Sequence, residues 1–91
     1  MQDFHRVIIY EDEVSCMIAS VYKGCLSILS EVFEDDSHYG SEKGYDLDKE
    51  STDKFFSLIS LDEFISQCNS SMWLSEFLEN NNIKYTSSLV W

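Results

Sequence analysis

The sequence predicts an α/β fold, in one small domain spanning residues 1–91. The expected order is β-α-loop-β-α-α-β, with a three-stranded, mostly parallel sheet packed by helices. Two observations predict it. Short β-rich runs stand at residues 4–10, 54–60 and 83–91, and helix-period patterns lie between them. Strands separated by helices need crossover connections, which are right-handed in parallel sheets.

The first run, FHRVIIY (4–10), has apolar residues at both parities, as a strand covered on both sides would. Glu11, Asp12 and Glu13 then read as the acidic first turn of a helix. Val14, Met17, Ile18, Val21, Tyr22, Cys25, Ile28, Leu29, Val32 and Phe33 fall on one broad stripe at 100° per residue, which predicts an amphipathic helix of about six turns. Gly24 lies inside it, at a cost of about 1 kcal/mol against Ala, and marks a kink or a close approach. KFFSLIS (54–60) reads as the second strand. Ser60-Leu61-Asp62-Glu63 is a capping-box pattern, with Ser60 as N-cap. The apolar period shifts at Asn69-Ser70-Ser71, so two short helices are expected, about 61–68 and 72–80. Asn80-Asn81-Asn82 ends the second, and IKYTSSLVW (83–91) is the closing strand.

Between the long helix and the second strand lies EVFEDDSHYGSEKGYDLDKESTD (31–53). It holds nine acids and two lysines, a net −7 of the chain's −11. Its portion from about 35 to 53 is expected to be a loop. A net charge of −11 on 91 residues repels nucleic-acid phosphates and anionic membrane surfaces, and attracts basic proteins. The 44% hydrophobic and 14% aromatic content provides material for a core. Cys16, Cys25 and Cys68 form no C-x-x-C pair and sit in apolar patterns, so three buried free thiols in a reducing compartment are expected. The opening MQDFHRV lacks an apolar run, and no segment reaches membrane-spanning length; a cytoplasmic location is expected.

The acidic segment fails as a calcium loop. With Gly40 at the turn position, Tyr39 falls on a ligand position and Asp46 replaces the bidentate Glu; starting at Asp46, Ser51 replaces the glycine. His5 and His38 have no ligand-spaced partners for zinc. Phosphate- and dinucleotide-binding fingerprints are absent. No catalytic residue, metal or cofactor is predicted, and the chain is read as a non-enzyme. The candidate partner-binding residues are Glu34, Asp35, Asp36, Tyr39, Glu42, Tyr45, Asp46, Asp48 and Glu50. Carboxylates would set the encounter rate with a basic partner, and Tyr39 and Tyr45 would anchor it, as interface tyrosines do.

In size, charge, tyrosine-bearing acidic segment and lack of catalytic motifs, the sequence resembles bacterial toxin-immunity proteins. Its predicted element order is similar to that of the barstar-type ribonuclease inhibitors, and contact-dependent growth inhibition immunity proteins are a second similar group. No residue motif is shared, so no inhibitor residue is carried over. The resemblance implies a protein that neutralises a basic cognate toxin domain, a nuclease, by covering its nucleic-acid groove. The alternative is a phage-encoded nucleic-acid mimic that inhibits a host defence nuclease.

Overall fold

The computed structural model describes residues 2–32 and 41–90. Strand β1 (Phe4–Glu11) forms where the first β-rich run predicts it. Glu11 ends this strand rather than opening a helix, and the Asp12 carboxylate caps the turn that follows by accepting from the Val14 and Ser15 N–H groups.

The predicted long helix is a β-hairpin: β2 (Ser15–Tyr22) and β3 (Cys25–Val32). Its turn is Lys23-Gly24, with φ of 53° and 79°. Two-residue hairpin loops of the primed type need positive φ at both central residues, and glycine takes it without a steric cost. The Asp3 carboxylate accepts from the Lys23 and Gly24 N–H groups at 2.8 and 3.1 Å, which holds the turn. Tyr22 pairs with Cys25, and the register then runs unbroken to Ser15 opposite Val32. Ile18, Val21, Ile28 and Val32 are β-branched and lose rotamer freedom in a helix, so the pleated alternative also suits them better locally.

Strand β4 (Ser41–Asp46) lies against β3, and β5 (Thr86–Val90) lies against β4. The sheet is five-stranded in the order β1-β2-β3-β4-β5, and each neighbouring pair is antiparallel. This overturns the three-stranded, mostly parallel sheet. Among the described residues, all three helices come together between β4 and β5 instead of separating the strands one by one.

The described part of the supposed 35–53 loop is likewise ordered as β4 and the start of α1 (Lys49–Leu58). Asp48 is the N-cap of α1, accepting from Ser51 N–H. Residues 54–60, expected as a strand, are therefore mostly the end of a helix. Thr52, Phe55 and Ile59 recur at helical spacing and are buried. Helix α2 (Leu61–Gln67) starts at the capping box: Ser60 Oγ accepts from Glu63 N–H, and Glu63 accepts from Ser60 N–H. Helix α3 (Ser71–Asn80) has Ser70 as its N-cap. These two helices agree with the sequence reading to within a residue; the closing strand is present but starts at Thr86 rather than at 83.

The helices cover one face of the sheet. Ile9, Met17, Ala19, Val21, Leu26, Ile28 and Tyr45 from the strands meet Phe55, Phe64, Leu74 and Leu78 from the helices. Phe55 is the hub, edge-on to Phe56, Phe64 and Phe77 at centroid distances of 5.0, 5.1 and 5.3 Å. Helices gathered on one face of an antiparallel sheet make the class α+β rather than α/β. Of the cysteines, all free, Cys16 and Cys68 are buried; Cys25 is exposed, because it flanks the hairpin turn and not a helix stripe. Among the described residues no helix is long and apolar enough to cross a membrane.

Candidate functional site

The predicted site residues that are described, Glu42, Tyr45, Asp46, Asp48 and Glu50, do not form one surface. Glu34, Asp35, Asp36 and Tyr39 lie outside the described residues. Tyr45 is corrected: it is fully buried and is part of the core, not an exposed anchor. It pairs with Ile28 on the helix-covered face, its hydroxyl lies 3.1 Å from Ser75 Oγ, and Lys43 Nζ sits 5.1 Å from its ring centroid. Strand alternation sends Tyr45 inward and its neighbour Asp46 outward.

Asp46, Asp48 and Glu50 are exposed and share one corner, where β4 hands over to α1. A cleft of about 240 Å³ there is lined by Asp48, Glu50, Ser51, Lys54, Asn82 and Lys84. A smaller one, about 130 Å³, is lined by Asp46, Asp48, Lys84, Tyr85 and Thr86. The acids at this corner thus face lysines, and Lys54 Nζ also donates to the Asn82 carbonyl at 3.1 Å. Hydrogen bonds from Ser51, together with nearby Lys84, hold the Asp48 carboxyl below the usual aspartate range. The corner is a mixed-charge surface with a structural cap in it.

The other acidic surface is the helix-free face of the sheet. Residues paired across neighbouring strands project from the same face. One row across that face reads Glu11–Cys16–Glu31–Glu42, from β1 to β4. The next reads Ile8–Ile18–Leu29–Gly44–Ser88, and the one after it Ser20–Ser27–Asp46–Thr86. None of Ile8, Ile18 and Leu29 belongs to the core under the helices. Ile8 is 52% exposed, and Tyr22, nearer the hairpin end on the same parity, is 71% exposed.

The paired residues of these rows include Glu11, Glu31, Glu42 and Asp46 and no Lys or Arg; exposed Arg6, in the β1 bulge beside the third row, donates its N–H to Ser20 Oγ at 2.9 Å. Glu31 and Glu42 stand directly opposite one another, a like-charge pairing that costs stability. Cys16 lies between Glu11 and Glu31, with its Sγ 3.8 Å from Glu31 Oε2. Burial, and then the charge of Glu31 and Glu11, push its thiol pKa up, so it is a poor nucleophile. Glu42 and Asp46 were in the predicted set; Glu11, Glu31 and the apolar row were missed. The signal that leads to them is Lys23-Gly24, which fixes the register once it is read as a hairpin turn.

Among the described residues, no group of three or more His, Cys, Asp or Glu is placed to hold a metal ion. The molecule is an antiparallel meander with helices on one face and an acidic, partly apolar surface on the other. No protein family, curated protein or solved structure matches the chain.

Proposed function

We propose that this chain is a non-catalytic inhibitor of the immunity type, which binds a basic partner protein, a toxin nuclease domain, and blocks its nucleic-acid groove. The observation that carries the reading is the sheet face turned away from the helices, where Glu11, Glu31, Glu42 and Asp46 are the charged residues of the paired rows. Carboxylates on a preformed sheet present fixed negative charge at the strand spacing, opposite lysines and arginines that otherwise hold phosphates. The net charge of −11 steers encounter, and exposed charges act over a screening length of about 8 Å at physiological salt. The mixed-charge corner at Asp46, Asp48 and Glu50 forms the edge of this surface.

The test is copurification of the partner at low salt, followed by association kinetics against wild type and a Glu11→Gln/Glu31→Gln/Glu42→Gln variant. The expected result is a slower association and a shallower salt dependence in the variant, with folding unchanged or improved as like charges are removed. A variant that binds and inhibits like wild type, with the same salt slope, overturns the reading.

A further inference from the structure

We propose that the apolar row Ile8–Ile18–Leu29 is the anchor of that surface, and that its occupant is a basic amphipathic helix of the partner protein. The inference rests on the reading of this face as a basic-partner site and adds what lies on it. Among the described residues the helices lie on one side of the sheet only, and the usual cover for a second face is another layer of secondary structure. Here Ile8, Ile18 and Leu29 follow one another on three adjacent strands. Strands lie about 4.8 Å apart, so the row spans roughly 10 Å. Apolar residues at i, i+3 or i+4, and i+7 of a helix span about 10.5 Å at 1.5 Å per residue. The acidic row runs parallel, two residues along each of β2 and β3. That is about 6.6 Å to one side, just beyond the half-width of about 5–6 Å of a helix with side chains and within reach of a long side chain on its flank. A helix seated on the apolar row therefore lays one flank along Glu11, Glu31 and Glu42, and that flank must be basic.

Charge selects this occupant over the others. A second copy of the chain would bring a net charge of −11 against −11. Nucleic acid and anionic membranes meet the same repulsion. A basic helix satisfies both rows at once: its leucine-like stripe covers Ile18 and Leu29, and its lysines relieve the Glu31–Glu42 opposition.

The test uses the full chain, isotope-labelled for NMR, and three probes: a 15-residue amphipathic helical peptide of Leu and Lys, a scrambled peptide of the same composition, and oligolysine. The amphipathic peptide is expected to bind at least about tenfold more tightly than the other two. Its shift changes should centre on the amides of Ile8, Ile18, Leu29, Glu31 and Glu42. Leu29→Ser should remove about tenfold of the affinity, and Glu31→Gln/Glu42→Gln should reduce its salt dependence. Shift mapping on wild type keeps the proposal testable if Leu29→Ser fails to fold. Equal binding of all three peptides at the acidic row, without change at Ile18 and Leu29, overturns the apolar anchor and leaves the basic-partner reading standing. Shift changes confined to residues 46–50 move the site to the corner and overturn the sheet face. Failure of every basic probe to bind at low salt overturns both readings. Concentration-dependent dimerisation of the free chain through the same amides assigns the face to a second copy and overturns the basic helix.

Discussion

Thr52 is the side chain that ties the helical layer to the centre of the sheet, and replacing it by valine removes the bond it accepts from Leu26 N–H together with the longer one, 3.5 Å, that it donates to the Leu47 carbonyl. Its residue is fully buried on α1, and its Oγ1 accepts from Leu26 N–H of β3 at 2.8 Å. Leu47 N–H donates in turn to the Leu26 carbonyl at 2.9 Å, so this segment joins β3 at both polar groups of one residue. Valine has nearly the shape of threonine but no acceptor, so Thr52→Val leaves the buried Leu26 N–H without a partner. An unpaired buried donor costs about 1–3 kcal/mol, out of a total stability of about 5–15 kcal/mol for a domain. For a domain of this size 1 kcal/mol moves Tm by about 4–8 °C, so a fall of roughly 5–20 °C is expected. Thr52→Ser keeps the acceptor and loses one buried methyl, about 1 kcal/mol. The assay is thermal and urea unfolding of the three proteins, with hydrogen exchange at the Leu26 amide. The valine variant should melt lowest and lose protection at Leu26; the serine variant should keep it. If Thr52→Val melts with wild type and Leu26 exchanges at an unchanged rate, the α1–β3 junction described above is wrong.

Tyr45→Phe removes the hydroxyl facing Ser75 and leaves the buried ring in place; it should lower stability by about 0.5–1.5 kcal/mol in urea unfolding and leave partner affinity unchanged, whereas a tenfold loss of affinity would return Tyr45 to the interface. A thiol reagent at neutral pH should label exposed Cys25 first, read by mass spectrometry, and label Cys68 last, because burial pushes that thiol up to about 11. Asp48 has a carboxyl pKa depressed below its ordinary 3.8, so its contribution is complete above that value and is lost as pH falls through the lower folded one. The Tm difference between wild type and Asp48→Asn should therefore be constant near neutrality and shrink below about pH 4; a difference that holds constant into strong acid would remove the capping carboxylate as its cause.

How much of this fold is legible in the sequence depends on which local signals stand alone. Ser60 and Glu63 satisfy each other within one turn, so the start of α2 follows from four residues regardless of tertiary context. The break at Asn69-Ser70-Ser71 is similarly local, and Ser70 caps α3. The segment 14–33 is different. In β2 and β3 both faces of the sheet carry apolar residues: Met17, Ala19, Val21, Leu26 and Ile28 under the helices, and Ile18 and Leu29 on the open side. Apolar residues at both parities fit a 3.6-residue period as well as a two-residue one, and periodicity alone cannot choose. At 54–60 the strand reading counted aromatic and β-branched residues, but the deciding residue is Asp48, which starts a helix six residues earlier. Asp48 was assigned to binding, so its capping role was overlooked.

The open face depends entirely on the same two turn residues. In a helix, Cys16 and Glu31 would be fifteen positions apart along the axis, about 22 Å at 1.5 Å per residue. The Lys23-Gly24 turn instead folds them into opposite places in the register, with 3.8 Å between Sγ and Oε2. It likewise brings Ile18 beside Leu29, and with β1 and β4 it completes both rows. Concentrated charge in residues 31–53 drew attention to an acidic segment, yet Glu11 lies outside that segment and Tyr45 within it is buried. Sequence proximity among acids marks where charge is dense in the chain. Strand pairing decides which of those charges share a surface, and here it selects Glu11, Glu31 and Glu42 from three different strands.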